Sequence, residues 1–249
     1  MLYGCSTHAG LGHHAYEDKR VGNIWFPTLF LYLCGMADNY LEKKMEDLRA
    51  QASTPRRKGN APSLGKLLAK NRSYRGYDNS FVVRRDQLLR IVEVNTKIPS
   101  ARNQQQLRFR LVTTEEAHKV LPHFRLGGAL PHLHLPAEGY EPRAFVVICS
   151  ATPAPDHYLY IDLGISAQSM LLQAVEIGLG GICIGAFDKA AVKESLGLEL
   201  EPLLLVAIGK PKEKIELVEI TPEESHNYYR DDEGRHYVPK VGLEHLIIK

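Results

Sequence analysis

Residues 178–187 read G-L-G-G-I-C-I-G-A-F, and their place between two neighbouring segments decides the fold. Before them, residues 163–177 carry a helical stripe of Ile165, Met170, Leu171, Ala174 and Val175. After them, Asp188 caps a further helix over 189–196. A dinucleotide-binding fingerprint needs a strand, then glycines, then a helix whose N-terminus receives the pyrophosphate. Here the order is helix, glycines, strand. The glycines end a helix and feed a short strand, so a Rossmann site is excluded. The useful feature is Gly185-Ala186 at the strand's end, where small side chains leave backbone N–H groups open to a ligand.

Working outward, residues 145–150 (F-V-V-I-C-S) and 203–208 (L-L-L-V-A-I) lack polar alternation and read as buried strands. A turn over 153–156 leads to Asp162, expected to open the long helix. That helix carries Gly164, Ser166, Ala167 and Ser169 on its first turns. Such small residues suit either tight helix packing or the close approach of a flat ring. Residues 215–220 form a further strand. The tail holds a turn at 232–234, then Val238-Pro239-Lys240 and an apolar stretch over 243–248. That stretch must be buried somewhere, a partner subunit included.

Upstream, Asp86 is expected to cap a helix over 87–94 with Leu88, Leu89, Ile91 and Val92 apolar. A strand follows over 107–113. Between them lies 97–109, K-I-P-S-A-R-N-Q-Q-Q-L-R-F. Asn103, Gln104, Gln105 and Gln106 place four amides in a row. Each offers donors and an acceptor without charge, which suits the edge of a flat heterocycle and equally a solvated connection. Ser63 caps a helix over 64–71 with Leu64, Leu67 and Leu68 inward. It ends in N-R-S-Y-R-G-Y (71–77), where two guanidinium forks and a hydroxyl suit a phosphate. The same cations would also offset a solvated helix terminus. Thr114 starts another helix, with His118, Val120 and Leu121. In the Gly/Pro/His-rich stretch 122–142, His123, His132 and His134 invite a metal. No carboxylate or thiolate stands at a supporting spacing, so no metal site is assigned.

The 249 residues fit one large domain or two small ones, with 44% hydrophobic and 24% charged side chains. A net charge of +2 provides no field for nucleic acid or an anionic membrane. Cys5, Cys34, Cys149 and Cys183 show no C-x-x-C spacing and read as buried reduced thiols. The apolar patch 24–34 is interrupted by Pro27 and too short to span a bilayer. The preferred reading is translation from Met36, with residues 1–35 a non-native extension; a signal or anchor and an accessory segment stay open. Residues 36–62 then form an N-terminal helix (40–51, capped by Asp38 or Asn39) and a basic linker (53–62). Residues 63–249 form the main domain.

Taken in order, Arg-Ser-x-Arg after a helix, P-S-x-x-N-x-Q before a strand, an Asp-led helix into G-L-G-x-x-x-I-G-x-F, and a strand ending A-I-G-x-P resemble the FMN-dependent nitroreductase family over about 64–249. The resemblance implies an α+β fold, a mostly antiparallel central sheet flanked by helices, and a homodimer with an exchanged C-terminal segment. It implies FMN at the dimer interface, held at its phosphate and ribityl chain by Arg72, Ser73 and Arg75, with Lys240 assisting. Pro99, Ser100, Ala101, Asn103 and Gln105 would approach from the other subunit. The backbone of Ile184, Gly185 and Ala186 would face the ring. Asn71, Gln106-Leu107 and Val241 depart from the usual pattern. A mid-chain ring-edge contact is not placed within 124–130.

The implied activity is a cytoplasmic, ping-pong oxidoreductase. It takes hydride from NADH or NADPH and reduces a small acceptor: a nitroaromatic, a quinone or an activated alkene. No side chain acts as acid or nucleophile, so no catalytic residue is assigned. A flavin-binding or sensor protein with little turnover, and a dehalogenase-like activity, are the rivals.

Overall fold

The order helix, glycines, strand is what the chain adopts, and the sheet forms around it. The chain divides into two units, Met1–Gly59 and Asn60–Lys249. The computed structural model describes residues 62–128 and 133–248, with Lys43 and Glu46. The extension 1–35, nearly all of the helix 40–51, the linker up to residue 61, Cys5, Cys34 and His132 therefore lie outside the described residues. In chain order the elements are α1 (Leu64–Lys70), α2 (Arg85–Glu93), β1 (Leu107–Val112), β2 (Ala144–Ser150), α3 (His157–Glu176), β3 (Gly180–Ile184), α4 (Lys189–Ser195), β4 (Glu201–Gly209), β5 (Ile215–Ile220), β6 (Tyr229–Arg230), β7 (His236–Val241) and α5 (Leu243–Leu246).

Four strands make one antiparallel sheet in the order β1-β2-β4-β3. Every residue of β2 is buried, because the sheet is covered on both faces. Period-two alternation divides them. Val146 and Ile148 point with Val206 and Ile208 into a core closed by α2 and α3 through Leu88, Ile91, Leu163 and Met170. Phe145 and Val147 point the other way with Leu205 and Ala207, into a core closed by Val120, Phe124 and Val192. A second sheet, β5-β7-β6, pairs β5 with β7 in parallel. Among the described residues no helix is long and apolar enough to cross a membrane.

Two glycines of the deciding stretch have steric reasons. Gly178 ends α3 at φ +80°, a conformation costly for any residue with a Cβ. A Cβ on Gly181 would collide with the Ala207 carbonyl oxygen across the β3–β4 ladder.

Several local expectations are corrected. α3 begins at His157, five residues before Asp162, because the Asp156 side chain accepts the Leu159 N–H at 3.0 Å and caps it. α2 begins at Arg85 and not after Asp86; the Gln87 side chain accepts the Arg84 N–H at 3.0 Å. Asp86 instead sits in the first turn and pairs with Arg84 at 2.9 Å. The helix expected after Thr114 is two 3₁₀ turns, Ala117–Lys119 and Leu121–His123, since Pro122 supplies no N–H to extend an α-helix. Leu64 and Leu68 are exposed, at 61% and 44%, because in the single chain only Leu67 of the α1 stripe turns inward. Cys183 is exposed, being on the edge strand β3, whereas Cys149 on β2 is buried.

Candidate functional site

The Arg-Ser-x-Arg segment is fastened along the open edge of β3. Ser73 forms a parallel bridge with Gly181, and the Tyr74 N–H donates to the Gly181 carbonyl at 3.2 Å. Farther on, Tyr77 bridges Pro211, is 1% exposed, and donates its hydroxyl to the Tyr74 carbonyl at 2.8 Å. With both ends pinned, Arg72, Ser73 and Arg75 face a cavity of about 120 Å³ that Asn71, Tyr228 and Lys240 also line. Three cations and a hydroxyl, from a helix end and from the distant strand β7, thus share one small space. At roughly 30 Å³ per water it holds about four waters, the scale of a phosphate group and not of a ring system.

The donor set fits an anion. Arg72 spends an N–H on the Asn71 carbonyl (2.6 Å) and Arg75 one on the Ser73 carbonyl (3.0 Å). The Arg75 guanidinium lies 4.5 Å from the Tyr228 ring centre. Arg75 Nε is buried with no hydrogen-bond partner among the described residues, a donor whose isolation is costly without an acceptor. The nearest carboxylate, Glu213, is committed elsewhere: it accepts the Arg75 backbone N–H and pairs with Arg230. Beside this cluster His236 is 1% exposed, and burial, with Arg75 and Arg230 adding repulsion, pushes its pKa down to about 4.

The amide loop lies in a second place. Pro99, Ser100 and Gln105 line an apolar cavity of about 860 Å³ together with Leu89, Val92, Ile98, Leu107, Phe109 and Asp162. Residues Ala101–Asn103 make one 3₁₀ turn. Arg102, Asn103 and Gln105 all have left-handed φ, at 51°, 54° and 49°. Asp162 holds this turn: Ser100 Oγ donates to it at 2.6 Å and the Ala101 N–H at 2.9 Å. Asn103 and Gln105 are exposed, with Gln105 Nε2 donating to Asn103 Oδ1 at 2.9 Å.

At the end of β3, Ile184 is buried while Gly185 and Ala186 are exposed. A Cβ on Gly185 would meet nothing within 4 Å, so space is open in front of this backbone. The mid-chain segment that sequence reasoning could not place is brought here. Phe124 bridges Phe187, and the Asp188 N–H donates to the His123 carbonyl at 2.9 Å. Of the small residues on α3, Ser166 and Ala167 are used for packing; wholly buried Ser166 donates to Asn95 Oδ1 at 2.5 Å.

The single chain therefore brings together Arg72, Ser73, Arg75 and Lys240 around one cavity. It groups Pro99, Ser100, Ala101, Asn103 and Gln105 in a separate loop, and sets Ile184, Gly185 and Ala186 at a strand end. Sequence reasoning missed Asp162 as the loop's holder, Tyr228 beneath Arg75, and the Glu213–Arg230 pair. Asp162 had a signal, an acidic residue inside an apolar stripe, that was spent on a helix cap.

A four-stranded antiparallel sheet enclosed by helices, with an edge segment leading to an open strand end, is an α+β protein of nitroreductase-like fold. Solved structures of other proteins share it. One is a nitroreductase family protein from Streptococcus pneumoniae TIGR4, with TM-score 0.53 and 18% identity over 64% of this chain and 96% of that one. Another is the FMN- and NADPH-dependent nitroreductase NfnB from Sphigopyxis sp. strain HMH, with TM-score 0.53 and 21% identity over 76% and 99%. A nitroreductase-like protein from Exiguobacterium sibiricum 255-15, solved in complex with FMN, gives TM-score 0.50 and 20% identity over 62% and 91%.

Residues 139–210 match the model of the nitroreductase family. The nitroreductase-like protein MJ1384 of Methanocaldococcus jannaschii is 36% identical over 53 residues. That match spans 21% of this chain and 27% of MJ1384, about a quarter of the relative's length.

Proposed function

We propose that the protein is an FMN-dependent oxidoreductase that works as a homodimer. The observation that carries this reading is the convergence of Arg72, Ser73, Arg75 and Lys240 on one phosphate-sized cavity beside the strand that leads to Gly185-Ala186. Arg72, Arg75 and Lys240 would hold the FMN phosphate by charge-assisted hydrogen bonds, the arginines in bidentate fashion, and the Ser73 hydroxyl would bind the ribityl chain. When bound, FMN supplies hydride chemistry between NADH or NADPH and a nitroaromatic, quinone or activated-alkene acceptor. The backbone N–H groups near Gly185 and Ala186, and the Asn103 amide, would orient the ring and favour the charge it gains on reduction. No side chain need transfer a proton.

The dimer is part of this reading. In the single chain Leu64, Leu68, Tyr160, Ile161, Leu243, Leu246, Ile247 and Ile248 are exposed. Exposed apolar side chains in this number suit contact with a second copy. The amide loop would reach the flavin held by a second copy, and the apolar tail of one copy would seat in the 860 Å³ cavity of the other.

The test is spectroscopic. The purified full chain is loaded with FMN, made anaerobic and mixed with NADH and with NADPH. Bleaching of the flavin band, and its return on adding a nitroaromatic or a quinone, is expected. A yellow protein that neither nicotinamide bleaches would be a binding module without turnover. Failure to load FMN at all would sink the reading.

A further inference from the structure

We infer that Asp162 is a positioning residue that sets the shape of the amide loop and so the presentation of Asn103 and Gln105 to the ligand. The inference rests on the reading of that loop as flavin-facing.

Asp162 lies inside α3, only 7% exposed, and forms no ion pair with the described residues. A buried carboxylate without a cation needs hydrogen-bond donors. Both that it receives come from the loop: the Ser100 hydroxyl at 2.6 Å and the Ala101 N–H at 2.9 Å. Ser100 Oγ, its proton turned toward Asp162, accepts the Gln105 N–H at 3.0 Å. One carboxylate therefore fixes the start of the loop directly and its end through a single hydroxyl. Between these points the Asn103 N–H donates to the Ser100 carbonyl at 2.9 Å and the Gln104 N–H to the Ala101 carbonyl at 3.0 Å.

This closure has a cost to offset. Three residues with side chains, Arg102, Asn103 and Gln105, hold left-handed backbone, which persists only where surrounding contacts over-determine it. Asp162 is not needed for α3 itself. Asp156 caps that helix, and Leu159, Leu163, Ala167 and Met170 dock it on the sheet. The carboxylate's hydrogen bonds thus serve the loop and nothing else among the described residues.

The experiment compares the full-length wild type with Asp162→Ala, Asp162→Asn and Ser100→Ala, following amide hydrogen exchange residue by residue and, after FMN loading, the rate of flavin reduction by NADPH. Asp162→Ala should speed exchange at Ala101, Asn103 and Gln105 at least tenfold while β2 amides stay protected. It should also slow flavin reduction about tenfold. Asp162→Asn keeps the shape and one acceptor, so it should fall between and guards against a misfolded Ala variant. Adding Ser100→Ala to Asp162→Ala should produce little further change, because both act through one chain of bonds. Unchanged exchange at 101–105, or a rise spread evenly over the sheet, overturns the inference. Faster loop exchange with undiminished flavin reduction overturns its functional half. If wild type takes up no FMN, the flavin reading fails instead, and the exchange data alone then decide whether Asp162 shapes the loop.

Discussion

His236 shows what burial beside two arginines does to one residue. It is buried between Arg230, whose Nε lies 3.3 Å from His236 Nδ1, and the Tyr228 ring, 5.1 Å away centre to centre. Its pKa falls to about 4, by burial first and then by Arg75 and Arg230. A histidine depressed in the folded state binds its proton more readily when unfolded. Its contribution is therefore complete above pH 6.5 and is lost as pH falls toward 4. Over that window the loss approaches about 3 kcal/mol. Urea unfolding from pH 7.5 to 4 should show this decline in wild type and a shallower one in His236→Asn. Parallel curves would mean that His236 does not titrate as described. An anion bound between Arg72, Arg75 and Lys240 would relieve part of the repulsion and raise the folded-state pKa, so with phosphate in the buffer the decline should still begin near pH 6.5 but be smaller and end at a higher pH.

Among elements, legibility followed burial. β2 and β4 were readable because a strand covered on both faces is apolar throughout, and 145–150 and 203–208 have that composition. The glycine stretch was readable because chain order alone separates it from a dinucleotide site. Helix starts were less so: Asp156 and Asp162 both stand near the beginning of α3, and only the fold decides which caps and which is buried. The second sheet was half visible. β5 was expected, but its parallel pairing with β7 depends on partners 21 residues apart in the chain, as in Ile215 with His236. The turn over 117–123 was misread because helical propensity ahead of Pro122 is a weak prior. α5 is the element whose exposure asks for an explanation: Leu243, Leu246, Ile247 and Ile248 are 69%, 65%, 62% and 97% exposed. Removing residues 243–249 should leave a folded chain, since little of the core rests on them, and shift its mass by light scattering from dimer to monomer. A truncated chain that stays dimeric would place the interface elsewhere.

For the whole molecule, the sheet serves as a ruler for the site. Ser73 is level with Gly181, and four residues later the strand ends at the open Gly185. At about 3.3 Å per residue this separates the cationic cavity from the strand end by roughly 13 Å. An elongated ligand with an anionic head and a flat far end matches that spacing, and Phe124 beside Phe187 borders the far end. The sequence could suggest Arg72, Ser73, Arg75 and Lys240 only by resemblance, since 165 residues separate Arg75 from Lys240 and nothing local joins them. Their meeting is a property of the folded chain. The amide loop lies apart from them in one copy, which is why the proposed working unit is a dimer.

The most direct measurement compares FMN with riboflavin, which differ only in the phosphate. The account predicts that FMN binds the wild type at least a hundredfold more tightly, and that Arg72→Ala combined with Lys240→Ala removes most of that difference while leaving riboflavin affinity nearly unchanged. Equal affinity of the wild type for the two flavins would contradict it.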